Sequence, residues 1–440
     1  MIEYRNLRIA LLGAGSVGAQ VASLLLEHGD ELANRVGAGL ELVGVAVRDL
    51  DAPRTTDIPR ELLTTDAESL ILGADIVIEL MGGLEPARSH LIAALNSGAD
   101  VITANKALLA THGPELFEIA EQVGAQLYYE AAVGGAIPII RPLRDSLAGD
   151  RVHRILGIVN GTTNYVLDRM DTENDSLEGA LQAATDLGYA EADPTADIEG
   201  YDAAQKAAIL ASLAFHTTVP LDAVHREGIT SVTHEQVVAA RDAGFVVKLL
   251  AVCERVTDPE TGVEGVSARV HPALVPTTHP LAAVHGANNA VFLEAEAAGS
   301  LMFYGAGAGG IQTASAVLGD VVSAARRHVI GGPGVAESTH ANLPVLPISS
   351  VTTRYQITLD VIDEPGVLAT IANQFSDHGV SLEAVQQNVP ADGHDHEPPT
   401  ATLVIGTHAA TEAALSSTVA ALGSNPVVSR VSSVLRVEGL

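Results

Sequence analysis

Five apolar runs of strand length open the chain, at residues 8–12, 41–47, 74–80, 100–103 and 126–130. Between them lie stretches with apolar residues at helical spacing, such as residues 86–96. Buried strands alternating with helices predict a parallel sheet covered on both faces, a Rossmann-type α/β domain over residues 1–137. The pattern then changes. A helix is expected at 138–147 and a strand at 154–159, followed by helices at 176–187 and 203–215. Apolar runs at 245–254, 265–274, 288–295 and 300–303 predict a mixed sheet, in an α+β domain over residues 138–307 that suits an oligomer contact. A helix at about 308–328 is expected to return and pack on the first domain. Pro333, Pro344 and Pro347 mark a linker at 329–353. Residues 354–440 read strand, helix, strand, strand, helix, strand, a ferredoxin-like βαββαβ module.

Composition narrows the function. With 440 residues, 47% of them hydrophobic, the chain can form several domains with large cores. A net charge of −30 argues against nucleic acid or an anionic membrane surface as a partner. The acids are spread along the chain, as on a solvated acidic surface. No stretch reads as a signal peptide or a membrane span. The single cysteine, Cys253, excludes an internal disulfide and fits a reducing, cytoplasmic compartment. Lysine is rare: Lys106, Lys206 and Lys248 are the only three, and the other 21 of the 24 basic residues are arginines. A lysine retained in such a chain points to something Arg cannot do, above all lending a proton.

Several stretches carry candidate chemistry. Gly13-Ala14-Gly15-Ser16-Val17-Gly18 follows the first strand and opens a helix. This is the dinucleotide fingerprint in its proper context: a tight turn, a close approach to a pyrophosphate, and helix–strand packing. After the second strand, Arg48 and the nearby Arg54 could clamp a 2′-phosphate, which favours NADP over NAD, while Asp49 could still serve a ribose. Lys106 ends the fourth strand, where open α/β sheets bind ligands. Glu130 followed by Gly134-Gly135 offers either a tight crossover turn, the better reading from these residues alone, or an oxygen-only site for a hard cation. Asn160-Gly161-Thr162-Thr163-Asn164 turns into a helix with donors suited to a carboxylate, although helix capping accounts for it equally well. Residues 188–206 hold five carboxylates, Glu191, Asp193, Asp197, Glu199 and Asp202, and then Lys206 on an apolar helix. Asp202 and Lys206 are four apart and share a face. A simple helix ion pair is the bland reading; the apolar helix and the scarcity of lysine favour a functional one. The glycine run 305–310 before a helix suits close approach to a ligand. His394 and His396 could bind metal, but a solvated loop is the better reading.

Together these motifs resemble homoserine dehydrogenase over the first 330 residues, through the fingerprint at 13–18, Thr103-Ala104-Asn105-Lys106, Glu130 with Val133-Gly134-Gly135, Asn160 to Asn164, and above all Gly188 to Lys206. The tail, with its turn Asp363-Glu364-Pro365-Gly366-Val367-Leu368, resembles an ACT domain, the module that binds amino acids in feedback-controlled enzymes. The resemblance implies NAD(P)H-dependent, reversible reduction of L-aspartate 4-semialdehyde to L-homoserine, on the branch toward threonine, methionine and isoleucine. It implies that Lys206 and Lys106 lie at the reacting carbonyl, with Lys206 the favoured proton donor and Lys106 its rival. Glu191 and Asp202 would hold the substrate, Gly188 would line its pocket, and Lys106 and Gly305 would contact the cofactor. Glu130, Val133, Gly135 and Ile137 would ligate a sodium ion, three of them by main-chain oxygen. A homodimer or homotetramer and a threonine effector are expected. Two other readings compete. Another ACT-tailed dehydrogenase would more readily use a His–carboxylate pair, and a non-catalytic metabolite sensor would not need both Lys106 and Lys206.

Overall fold

The computed structural model describes residues 5–332, 337–388 and 400–439. His394 and His396 lie outside the described residues. The chain forms two compact units, each assembled from separate segments: residues 1–161, 202–224 and 287–343 in one, and 162–201, 225–286 and 344–440 in the other. The expected boundaries at 137/138 and 307/308 do not coincide with these units. Strands and helices distant in sequence pack together, so the chain leaves each unit and comes back.

The first unit contains a six-stranded parallel sheet of β1 (Leu7–Leu12), β2 (Leu40–Ala46), β3 (Leu63–Thr64), β4 (Ile76–Glu79), β5 (Asp100–Thr103) and β6 (Leu127–Tyr128). Their order is β3-β2-β1-β4-β5-β6, the doubly wound order of dinucleotide-binding domains. β1, β4 and β5 are almost wholly buried, which is why they read as continuous apolar runs rather than alternating ones. The last strand is shorter than its apolar run, because Glu130–Ala132 turns into a 3₁₀ helix. In the helix Gly310–Ile330, Ala314, Val317, Val321, Ala324 and Ala325 join Val21, Ala22 and Leu25 of the helix Ser16–Glu27 in one core. The helix expected at 138–147 runs over 140–146, its last five residues, Pro142–Ser146, in π geometry. Leu147 donates to Pro142 O, five residues back, and Pro142 has no N–H of its own to give. β7 (Val152–Ile158) pairs antiparallel with Asn288–Ala295, which pairs with Gly299–Ala306.

The second unit is built on a long hairpin, Phe245–Thr257 against Glu264–Pro276. Its C-terminal part has the predicted βαββαβ order: Thr352–Ile362, Val367–Asp377, Leu382–Asn388, Thr400–Thr407, Glu412–Gly423 and Val428–Val437. These four strands form an antiparallel sheet in which Thr352–Ile362 and Thr400–Thr407 are central. Ile357, Leu359, Ile371, Phe375, Leu403, Ile405, Leu415 and Leu422 fill its core. The module is not a bead on a string. Its last strand runs parallel to Glu264–Pro276, with Ala273 opposite Arg436 and Leu274 opposite Val437. Nor is the whole expected linker loose: Val266 N donates to Pro344 O, and Leu346 N donates back to Val266 O. A charge network, buried at Arg269 and Glu438, reinforces this seam. Arg269 holds Glu254 at 2.7 Å and Glu438 at 3.0 Å, and Arg436 pairs with Glu227 and Glu412.

Candidate active site

The glycine fingerprint has the shape that a phosphate-binding loop needs. Gly13 has φ +101°, and a Cβ there would lie 2.7 Å from Leu80 O. A Cβ on Gly18 would lie 2.1 Å from Gly13 O, so the third glycine lets the helix sit against the turn. The second, Gly15, has nothing within 4 Å of its Cβ position and leaves the approach to the loop open. Ala14 lies between these glycines, and Ser16, Val17 and Gly18 form the first turn of the helix, with no side chain capping its N–H groups. Those N–H groups lie at the positive end of the helix dipole, as an anion site requires. Gly305 lies near the end of the strand Gly299–Ala306, opposite Asn289, and a Cβ on it would lie 3.4 Å from Ile137 Cγ1. A Cβ on Gly310 would lie 2.7 Å from Ser16 O, so the start of the returning helix packs on the loop itself.

The two arginines proposed for a 2′-phosphate separate in role. Arg54 donates to the carbonyls of Asp49, Leu50 and Ala52 and so orders the loop after β2. Arg48 is exposed, and no described residue pairs with it.

Lys106 is positioned by the end of β5. Asn105 caps the helix Lys106–Val123 by accepting Leu108 N, and its amide donates to Gly83 O, 2.6 Å away. Beneath this turn lies a residue that the motif reading missed, Glu79. It is fully buried, with one oxygen accepting Met81 N and Gly82 N and the other accepting the Thr103 hydroxyl. Thr103 Oγ1 in turn accepts Asn105 N. A buried carboxylate satisfied by three donors thus ties the end of β4 to the turn that presents Lys106. An acid at the end of an apolar strand, four residues before Gly83, was the signal available for it.

Lys206 lies on the helix Tyr201–Phe215, whose residues are mostly buried. Its Nζ donates to Asp202 Oδ2 at 2.7 Å and to Val159 O at 2.6 Å. Lys106 Nζ lies 3.3 Å from Asp202 Oδ1. One carboxylate therefore stands between two ammonium groups from helices about a hundred residues apart in sequence. Burial pushes the Asp202 carboxyl up, but the charges of Lys206 and Lys106, with hydrogen bonds from Lys206 and Asn160, outweigh it and hold it at about 2. Lys206 is buried and Lys106 is about two-fifths exposed (39% for its side chain), so the first needs its counter-charge more.

The Glu130 carboxylate is occupied in a way the sequence did not announce. One oxygen accepts Ile139 N and Ile140 N at 2.6 and 2.9 Å, and the other accepts Arg141 N and Nε at 2.9 and 2.8 Å. Four donors surround it and would repel a cation, so ligation through this carboxylate does not fit. The groups that remain for a cation are main-chain oxygens of Glu130, Val133, Gly135 and Ile137, on a turn where Gly134 and Gly135 have φ +79° and +58°. Asp320 accepts Glu130 N at 2.9 Å beside the same arginine, and burial pushes its carboxyl up to about 7. Among the described residues, no group of three His, Cys, Asp or Glu side chains is arranged to hold a metal ion.

Gly188 and Glu191 belong to the second unit. Gly188, at φ +75°, ends the helix Leu177–Asp186 in the left-handed conformation, and Tyr189 N reaches back to Ala184 O. Glu191 is exposed. Asp193 Oδ1 accepts the N–H and the hydroxyl of Thr195 at the start of the short helix Thr195–Ile198, a loop-ordering role. Lys248, to which the sequence assigned nothing, is buried, with Nζ donating to Asn164 Oδ1 and Val284 O; burial lowers its amine to about 8.

No helix among the described residues is long and apolar enough to cross a membrane. Comparison with known proteins agrees with the geometry. The homoserine dehydrogenase family profile matches residues 138–322, and the profile for its NAD-binding domain matches residues 13–130. A homoserine dehydrogenase from Corynebacterium glutamicum is 53% identical over 98% of this chain and 95% of its own length. The crystal structure of a homoserine dehydrogenase from Thiobacillus denitrificans superposes with a TM-score of 0.90 at 35% identity, over 99% of both chains. A hyperthermophilic archaeal homoserine dehydrogenase in complex with NADPH matches 74% of this chain and 99% of its own, with a TM-score of 0.61 at 26% identity. The chain belongs to the homoserine dehydrogenase family.

Proposed function

We propose that this enzyme reduces L-aspartate 4-semialdehyde to L-homoserine, reversibly, with Lys206 as the proton donor. The observation that carries the assignment is the Lys106–Asp202–Lys206 cluster at the end of β5. A reduced nicotinamide cofactor supplies the hydride to the aldehyde carbon. Negative charge then grows on the aldehyde oxygen, and an ammonium group beside it stabilises that charge and gives up a proton. Two of the three N–H groups of Lys206 are directed to Asp202 and Val159 O, which leaves one for the substrate. Lys106 adds a second positive charge from the other side of Asp202. In the oxidative direction, Lys206 without its proton acts as the base. Asp202 serves the substrate's amino-acid end in this reading, and the family resemblance implies substrate roles for Gly188 and Glu191.

The test is turnover followed by NADPH oxidation with aspartate semialdehyde. Lys206→Ala lowers kcat by roughly two to four orders of magnitude, as expected for loss of general acid catalysis. Retained turnover in that variant, with Lys106→Ala inactive, would reverse the roles.

NADP is the preferred cofactor in this reading, supported by an exposed Arg48 after β2 with which no described residue pairs. Arg48→Ala should raise KM for NADPH more than for NADH; an unchanged preference refutes it. A sodium ion, if bound, rests on the main-chain oxygens of Glu130, Val133, Gly135 and Ile137, and activity in sodium compared with choline salts tests that site. The C-terminal module is the site of threonine feedback. Threonine titrated into the intact enzyme should release heat and inhibit it, and silence at millimolar concentrations would exclude this effector.

A further inference from the structure

We propose that Asn160 is a positioning residue for the proton-donating pair: its amide fixes Asp202, so that Lys206 keeps one N–H aimed at the reacting oxygen. The inference rests on the reading of Lys206 as donor.

β7 ends at Ile158, and the next two residues each send one group to the pair. Val159 O accepts Lys206 Nζ at 2.6 Å, and Asn160 Nδ2 donates to Asp202 Oδ2 at 2.9 Å. That same oxygen accepts Lys206 Nζ at 2.7 Å, while Oδ1 faces Lys106. A single dipeptide therefore holds both members of the pair. Asp202 sits in the first turn of its helix, where the lysine alone would let the carboxylate swing about its terminal torsion. A second donor on the same oxygen removes that freedom.

The choice of an amide has a chemical consequence. Asn160 carries no charge in any protonation state, so its hold on Asp202 does not change when Lys206 gives up its proton. Asp202 then stays aimed at the amine while the proton is replaced. The amide also draws off part of the carboxylate's negative potential. Without it, Asp202 grips the Lys206 proton harder. Among the described residues, the charged groups facing this pair are Lys206 and Asp202 on one helix and Lys106 at the start of another.

The experiment is the pH profile of kcat/KM for homoserine oxidation, measured on the intact enzyme at saturating cofactor. Thermal unfolding of each variant is followed in parallel. Oxidation needs Lys206 without its proton, so the profile rises with pH. In Asn160→Ala the rising limb should move to higher pH by about half to one unit, a roughly three- to tenfold tighter proton. Asn160→Asp should move it further, because a second carboxylate replaces the donor. Asn160 immediately precedes the helix Gly161–Thr172, and Asp caps helices as well as Asn, so this variant retains the capping capacity. A purely structural role predicts lower turnover with the limb in its wild-type place, and that result in folded variants overturns the proposal. Lys206→Ala separates the two ideas. If the limb disappears with the lysine, the limb reports the donor and the Asn160 variants decide the inference. If it persists unchanged, the donor assignment itself fails and this inference falls with it.

Discussion

Replacing Asp202 by Asn tests the electrostatic core of the site. Lys206 Nζ lies 2.7 Å from one carboxylate oxygen, and Lys106 Nζ lies 3.3 Å from the other. Burial alone would raise the carboxyl; the two lysines outweigh it, so Asp202 stands at about 2 against an ordinary 3.8. The gap of about 1.8 corresponds to about 2.5 kcal/mol favouring the charged form in the folded protein. The folded value lies below the unfolded one. The contribution is therefore complete above about pH 4 and is lost as the pH falls toward 2. The variant lacks it and also leaves a buried ammonium without its counter-charge, a change that costs about 3–5 kcal/mol in buried pairs. The Lys106 share is discounted, since that side chain is more than a third exposed. We expect a loss of about 2–4 kcal/mol of stability at neutral pH, toward the low side of the buried-pair range because the Asp202 and Lys206 side chains each keep 11% of their surface exposed. Turnover should fall by roughly two orders of magnitude or more, as the donor loses its orientation. Urea titrations of both proteins between pH 7 and pH 3 measure the first quantity, and the difference between them should shrink toward the acid end. Equal urea midpoints at pH 7, with turnover within about threefold of wild type, would refute the reasoning.

Asp320→Asn should show the opposite pH dependence. Burial raises the folded Asp320 carboxyl to about 7, so its ionisation is a cost fully present above pH 7 and relieved as the pH falls toward 4. The amide oxygen can still accept Glu130 N; the variant should gain about 1–4 kcal/mol at pH 8 and little at pH 4.5, by thermal unfolding, and a loss at pH 8 contradicts the assignment. The fingerprint glycines should divide by function. Gly15→Ala puts its methyl in open space and should keep the melting temperature while weakening cofactor binding, whereas Gly18→Ala drives a methyl into Gly13 O and should unfold at lower temperature. Calorimetry and cofactor titration distinguish them, and an equal loss of stability in both variants would sink this division.

Much of this architecture could be read locally. Period-3.6 and strand-length apolar runs gave the parallel sheet and the βαββαβ tail, because such patterns depend only on which face of an element is buried. The Gly13 turn and the Gly188 helix stop need a backbone conformation that side chains disfavour, so composition marks them directly. The 138–147 segment is helical over 140–146, but Pro142 within the apolar helix pattern shifts its hydrogen bonding to a π turn, for an equally local reason.

The site divides along the same line. The sequence by itself determined that Asp202 and Lys206 would share a helix face, since four residues make about one turn. It also marked Lys206 as unusual, through an apolar helix in a chain nearly without lysine. Only the tertiary structure decided that Lys106 meets the other oxygen of Asp202, that Val159 and Asn160 close around the pair, and that Glu79 braces the turn bearing Lys106. It also decided that the Glu130 carboxylate is taken by the N–H groups of Ile139, Ile140 and Arg141 rather than left for a cation. The physical reason is common to all of these. Spacing along the chain fixes which groups are neighbours within one element, but a carboxylate's partner across elements depends on how closely their backbones approach, and no local pattern encodes that distance.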